Sequence, residues 1–328
     1  MRTFFNKFPV LSSILLAIVA LGLLMVSSTV VAELSDDTRL GSIATIIVYA
    51  LPIAFVVFMA FILKLQGVLS FKKAGLLKGI FLLGLPMLCF SAFSFFVSTT
   101  QIAEHEFVNP AVLSLVLFTC HMLLIGVFEE FLFRGVILNN MLKKWGKNKS
   151  GIIRAVIYSS ILFGSAHLVN LIGTSNFVIG TISQLFYTFF LGIFFAAIYI
   201  RTKNIWTVVI LHAIFDWLAM ILITFYPTMA PSGETDVDIT ILFGQIILTL
   251  PFAVFGFLYL RKAWQPKESE SIYTLCHNCQ TKISLDDEYC YNCGERVKTT
   301  CPACSQETRC DAYFCCYCGA RLEQQLPQ

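Results

Sequence analysis

The sequence predicts an all-α polytopic membrane protein with about eight transmembrane helices, followed by a small cysteine-rich tail. Three observations predict it. Of 328 residues, 57% are hydrophobic and 13% charged, with 31 Phe, a balance unlike that of a water-soluble globule. Apolar runs of roughly 20 residues, the length of a bilayer-crossing helix, recur as far as Leu260. Ten of the 12 Cys then fall between Cys276 and Cys318, where the apolar runs have stopped. The expected organisation is a helical membrane domain over 1–263, a polar linker over 264–275 and a separate tail over 276–318.

In chain order the first apolar run is Pro9–Ala32. A secretory signal peptide competes for it, because Arg2 and Lys7 give a basic start and Val30-Val31-Ala32 resembles a cleavage site. The run is too long for a signal core, which favours a retained membrane helix. Further runs are Gly41–Leu63, Gly79–Thr99, Ala111–Leu138, Ala155–Ile172, Phe177–Ile200, Ile205–Phe225 and Ile239–Leu260. Pro52, Pro86 and Pro251 lie inside them and read as tolerated kinks. Cys89 and Cys120 read as inert small hydrophobes.

The net charge of +3 says little until it is distributed. Alternate connecting segments carry Arg2 and Lys7, then Lys64, Lys72, Lys73 and Lys78, then Lys143, Lys144, Lys147, Lys149 and Arg154, then Arg201 and Lys203, then Arg261, Lys262 and Lys267. The opposite segments hold Arg39 alone among basic residues, with acidic Glu104, Glu106, Glu234, Asp236 and Asp238. Basic residues stay on the cytoplasmic side of membrane helices, so both termini are expected there.

The fourth apolar run contains Val127-Phe128-Glu129-Glu130-Phe131-Leu132-Phe133-Arg134-Gly135. A charge at mid-bilayer depth costs at least ~2.5–3.5 kcal/mol, so each of these three needs a partner or a polar cavity. Glu130 and Arg134, four apart on a helix, share a face and can pair. Glu129 points about 100° away and is left free, which makes it a candidate general base. A structural salt bridge pinning two helices is the alternative. Two further runs carry Phe163-Gly164-Ser165-Ala166-His167 and His212-Ala213-Ile214-Phe215-Asp216. Counted from the basic ends at ~1.5 Å per residue, Glu129, His167 and His212 lie roughly 13–20 Å deep. Ionisable groups from three helices thus converge on one level. His121 has no such pattern around it and reads as a hydrogen-bonded packing residue.

Taken in order, Glu129-Glu130-x-x-x-Arg134, Phe163-x-x-x-His167 and His212-x-x-x-Asp216 resemble the CPBP family, the CaaX-protease and bacteriocin-processing membrane proteins also called the Abi family. The resemblance covers about 111–225. It implies an intramembrane peptidase acting on a protein or peptide substrate near the cytoplasmic side, with these residues at the site. Glu129, with His167, would activate a water, Glu130 with Arg134 would fix its helix, and His212 would support the developing oxyanion. The last position is often Asn in the family. Asp216, when ionised, only accepts, so orienting His212 suits it better than donating to an oxyanion. Two His and one or two carboxylates would also suit a catalytic zinc with a bound water, and the sequence leaves the glutamate and metal mechanisms open. Two non-enzymatic alternatives stand beside these, an immunity or binding protein that keeps the motifs as a packed polar core, and a membrane scaffold or sensor acting through its tail.

That tail follows Lys267-Glu268-Ser269-Glu270-Ser271. Cys276 and Cys279, then Cys290 and Cys293, form two CxxC pairs, and Cys301 and Cys304, then Cys315 and Cys318, repeat the pattern 25 residues on. Gly294 and Gly319 each follow the second pair of a unit. Four thiolates per unit suit tetrahedral zinc, and the pattern resembles a double zinc ribbon holding two structural ions. Cys310 and Cys316 are left over, as bystanders or as alternative ligands. Units this small gain their folding energy from the metal. From Cys276 onward five basic residues face seven acidic ones, which argues against nucleic acid and toward a protein partner.

Overall fold

The computed structural model describes residues 2–34, 46–172, 178–229, 239–263, 273–284, 287–309, 313–314 and 318–322. The chain divides into two compact units, Met1–Ala263 and Trp264–Gln328.

Eight principal helices build the first unit. They are α1 (Pro9–Leu34), α2 (Ala50–Ile62), α3 (Leu85–Thr99), α4 (Val112–Glu130), α5 (Lys149–Ala166), α6 (Val178–Thr202), α7 (Ile205–Phe225) and α8 (Ile239–Ala263). A short helix, Arg2–Lys7, precedes α1. Among the described residues seven helices are long and apolar enough to cross a membrane. The eighth expected span, Gly41–Leu63, contributes only a shorter apolar helix, Ile46–Ile62, and its residues 41–45 lie outside the described part.

Two of the prolines expected as kinks sit instead in first turns, where no helical hydrogen bond is lost. Pro86 is the second residue of α3 and Pro52 the third of α2. The predicted run from Gly79 is therefore broken, with a wide π-turn over Gly79–Leu83 before α3 begins. Pro251 alone lies inside its helix, α8.

The outer face of the unit is apolar. Phe61, Phe96 and Ile247 are 58%, 66% and 68% exposed, a surface that suits hydrocarbon and not water. Cys89 and Cys120 are exposed on the same kind of face. Inside, Phe128, Phe133, Phe163, Phe194 and Phe195 are buried, and edge-to-face contacts such as Phe133–Phe163 at 5.1 Å fill the space between helices.

Small residues set the closest approaches. A Cβ on Gly126 would lie 2.9 Å from the Val209 carbonyl, so α4 and α7 meet backbone to backbone there. Gly164 does the same for α5 and α6, where a Cβ would lie 2.6 Å from the Leu185 carbonyl. Asn204 accepts from the Trp206 amide at 3.1 Å to cap α7, and donates to the Lys72 carbonyl at 2.6 Å and the Ala74 carbonyl at 3.1 Å.

The second unit consists of two antiparallel hairpins. Strand β1 (Tyr273–Leu275) pairs with β2 (Lys282–Ser284) in the register Thr274 opposite Ile283, and β3 (Lys298–Thr300) with β4 (Glu307–Arg309), Thr299 opposite Thr308. The two registers are 25 residues apart, as the cysteine repeat requires.

Candidate active site and metal centres

The polar centre is built where α4 changes pitch. After Glu130 the helix opens into a π-helical stretch, Phe131–Leu138, and then resumes over Asn139–Trp145. Wide turns leave carbonyls poorly paired and recur at functional sites. Asn139 Nδ2 lies within donating reach of two of them, the Arg134 carbonyl at 2.7 Å and the Gly135 carbonyl at 3.1 Å, and its Oδ1 accepts from the Tyr199 hydroxyl at 3.2 Å. Asn140 is buried, its amide donating to the Ser12 hydroxyl at 3.4 Å, and the helix runs on to Trp145.

Glu130 and Arg134 pair as their spacing predicts. Arg134 donates to Glu130 Oε1 at 2.8 Å, and the side chains are 2% and 0% exposed respectively. The guanidinium lies 4.1 Å from the Phe163 ring centre and 5.4 Å from that of Phe195, so its faces are covered by aromatic rings.

His212 enters from α7, carried in by the close approach at Gly126. Its Nδ1 donates to Glu130 Oε1 at 2.8 Å. Its Nε2 faces Asp216 at 3.4 Å and Glu129 at 3.7 Å. Phe195 stacks on the ring, centroids 5.5 Å apart. The spacing had made Asp216 the partner that orients His212, but the short bond goes to Glu130, one helix away.

Glu129 and Asp216 are about one-fifth exposed and line a cavity of about 640 Å3, together with His167 and His212. His167 sits where α5 tightens into a 3-10 turn, its ring edge-to-face with Phe163 at 5.7 Å, and its Nε2 is buried without a hydrogen-bond partner. The predicted ionisable residues of three helices therefore do meet at one cavity. Sequence reasoning missed the other polar residues in its wall, Tyr49, Gln184, Tyr187 and Gln245 with the hydroxyls of Ser94, Thr188 and Thr249. The two glutamines, amides inside long membrane helices, were a readable signal; the tyrosines were not. His121 also lines the wall, packed 5.5 Å from Tyr49.

Metal ligation fits the tail. The Sγ atoms of Cys276, Cys279, Cys290 and Cys293 all lie within 4.8 Å of one another, as do those of Cys301, Cys304 and Cys318. Cys315, Cys310 and Cys316 lie outside the described residues. Each sulfur turn closes with a left-handed residue, Gln280 (φ 55°), Gly294 (φ 72°), Ser305 (φ 57°) and Gly319 (φ 73°), again 25 residues apart in pairs. Hydrogen bonds to Thr281, then to Asn292, lower the pKa of the Cys279 thiol. At the membrane site, Glu129, His167, His212 and Asp216 make no such compact ligand group, so the donor geometry lends a catalytic zinc no support.

Comparison with known families agrees with both units. Residues 111–218 match the family described as Type II CAAX prenyl endopeptidase Rce1-like. Residues 276–319 match the double zinc ribbon. No curated protein matches the chain. The molecule is thus a multi-pass helical membrane protein, similar over its polar centre to the Rce1-like CAAX endopeptidases and carrying a double zinc ribbon as its tail.

Proposed function

We propose that the membrane unit is an intramembrane endopeptidase hydrolysing peptide bonds of membrane-associated or lipidated protein or peptide substrates near the cytoplasmic face. The observation that carries this reading is the placement of His212, fixed at Nδ1 by Glu130 and turned at Nε2 toward Glu129 and Asp216 in a cavity that also holds His167.

Glu129 is the base. It takes a proton from a water whose oxygen attacks the scissile carbonyl, and His167 Nε2, buried and without a partner, is the second group to hold that water. The imidazolium form of His212 donates through Nε2 to the oxyanion, a contact worth on the order of 3 kcal/mol for one good donor. Glu129 then passes its proton to the amide nitrogen as the carbon–nitrogen bond breaks, releasing an amine and a carboxylate. Glu130 holds the imidazole, Arg134 holds Glu130, and Asp216 balances charge beside Nε2. The excess of basic residues in alternate loops supports cytoplasmic termini and a cytoplasmic zinc ribbon, whose acidic balance suits a protein partner.

Glu129→Gln tests the reading. It keeps size and an acceptor but removes the base, so peptide products should vanish from membranes in which the protein still accumulates. Unchanged biological activity would favour an immunity or binding protein. Deleting residues from Cys276 onward tests the scaffold alternative, which requires the remaining membrane part to be inactive.

A further inference from the structure

A second cavity, of about 240 Å3, lies in the hairpin between α4 and α5, lined by Lys144, Lys147, Arg154, Trp145 and the first turn of α5. From Asn139 to Arg154 the sequence holds five cations and no carboxylate. Among the described residues, neither Lys144 nor Lys147 nor Arg154 forms a salt bridge. Two of the three are nonetheless held in place. Lys144 Nζ donates to the Lys7 carbonyl at 2.5 Å, and the Arg154 guanidinium lies 5.6 Å from the Trp145 ring centre. The cavity floor is backbone, because a Cβ on Gly151 would fall 1.7 Å from the Trp145 carbonyl. Asn148 caps Gly151 at 2.8 Å, and the start of the 18-residue α5 adds its partial positive charge.

The aromatic neighbours fix the level of this cavity. Trp145 and Tyr158 lie 5.7 Å apart, Phe4 on the adjoining short helix and Phe8 just after it are exposed, and Lys7 sits 5.3 Å over the Phe8 ring. Rings and cations mixed in this way mark the boundary between hydrocarbon and water. A small cationic cavity between membrane helices at that boundary is shaped for a lipid phosphate.

We propose that the cavity formed by Lys144, Lys147, Arg154 and Trp145 binds the headgroup phosphate of an anionic phospholipid, whose acyl chains lie against the apolar outer face beside it. The volume takes a phosphate and a glycerol, not an acyl chain, so the chains must stay in the bilayer.

The test uses the purified full chain in a zwitterionic detergent, with short-chain phosphatidylglycerol, short-chain phosphatidylcholine and glycerol phosphate as probes. Phosphatidylglycerol should bind saturably and raise Tm, phosphatidylcholine should do neither, and Lys147→Gln with Arg154→Gln together should weaken binding on the order of 30-fold, about one kcal/mol per charge removed. Lys147→Arg should bind as the parent does. Equal binding by phosphatidylcholine, or unchanged binding in the double variant, overturns the site. Glycerol phosphate binding as tightly as the lipid overturns the lipid source and leaves a soluble phosphate ester. Should the double variant fail to fold, the parent decides alone: binding must weaken as salt rises, and a flat salt dependence sinks the proposal.

Discussion

Glu130 Oε1 lies 2.8 Å from His212 Nδ1, and this bond joins α4 to α7 at the same oxygen that holds Arg134. One carboxylate, fully buried, thus serves a guanidinium on its own helix and an imidazole on the next. Removing it strands both. Glu130→Ala should cost about 3–5 kcal/mol, the penalty for leaving a buried charge unpaired, and should lower Tm as well as activity. Glu130→Gln keeps an acceptor and should retain more stability than activity. Arg134→Lys should not rescue function, since an ammonium cannot cover the space between the Phe163 and Phe195 rings.

Glu129 and Asp216 face the same Nε2, yet the reading assigns them different duties. Glu129→Gln should lower kcat by at least ~10²–10⁴, with Tm nearly unchanged because its side chain is partly exposed and His212, which it faces, keeps its short bond to Glu130. Asp216→Asn should stay within about tenfold of the parent, because Glu130 still fixes the imidazole. Steady-state kinetics on a peptide substrate, with thermal melts alongside, separates the two. Equal losses would mean that both carboxylates share the base role.

His212→Phe should preserve the stack on Phe195 and lose the oxyanion donor, with kcat falling on the order of 10²–10³. KM should move little if the donor acts only in the transition state. A KM change alone would recast His212 as a substrate-binding residue.

Gly126 controls whether this geometry forms at all. Gly126→Leu forces α4 away from the Val209 carbonyl, so it should lower Tm and separate Glu130 from His212. Gly22, which has open space around it, provides the comparison: Gly22→Ala should be close to neutral.

Zinc analysis of the isolated protein should find two ions per chain. Cys276→Ser should reduce this to one, and strong chelation should unfold the tail while leaving the helical content of the membrane unit intact. Retention of two ions after Cys276→Ser would show that the four clustered sulfurs are not the ligands.

Much of this was legible in the sequence because membranes impose simple rules. Charge is expensive in hydrocarbon, so Glu129, Glu130, Arg134, His167, His212 and Asp216 stood out, and helical spacing correctly paired Glu130 with Arg134. Spacing speaks only within one helix. It offered Asp216 as the support of His212 and could not show that Glu130 reaches it from α4. Tyr49 and Tyr187 were invisible for a related reason: an aromatic in an apolar run reads as packing until the cavity it borders is known. The cysteine repeat announced its metal turns, but only the two glycines hinted at left-handed backbone, whereas Gln280 and Ser305 adopt it without any compositional sign.

The wide stretch over Phe131–Leu138 has a consequence for how this chain tolerates change. A π-turn accommodates one residue more than an ordinary helical turn, and here it begins directly after the glutamate pair. Deleting one residue from it would let the stretch return to regular pitch, so the residues beyond the gap keep their phase, whereas a deletion in the regular part of α4 would advance everything downstream by about a quarter-turn. Substitutions there trade volume for volume, and a lost codon is absorbed where the helix is wide.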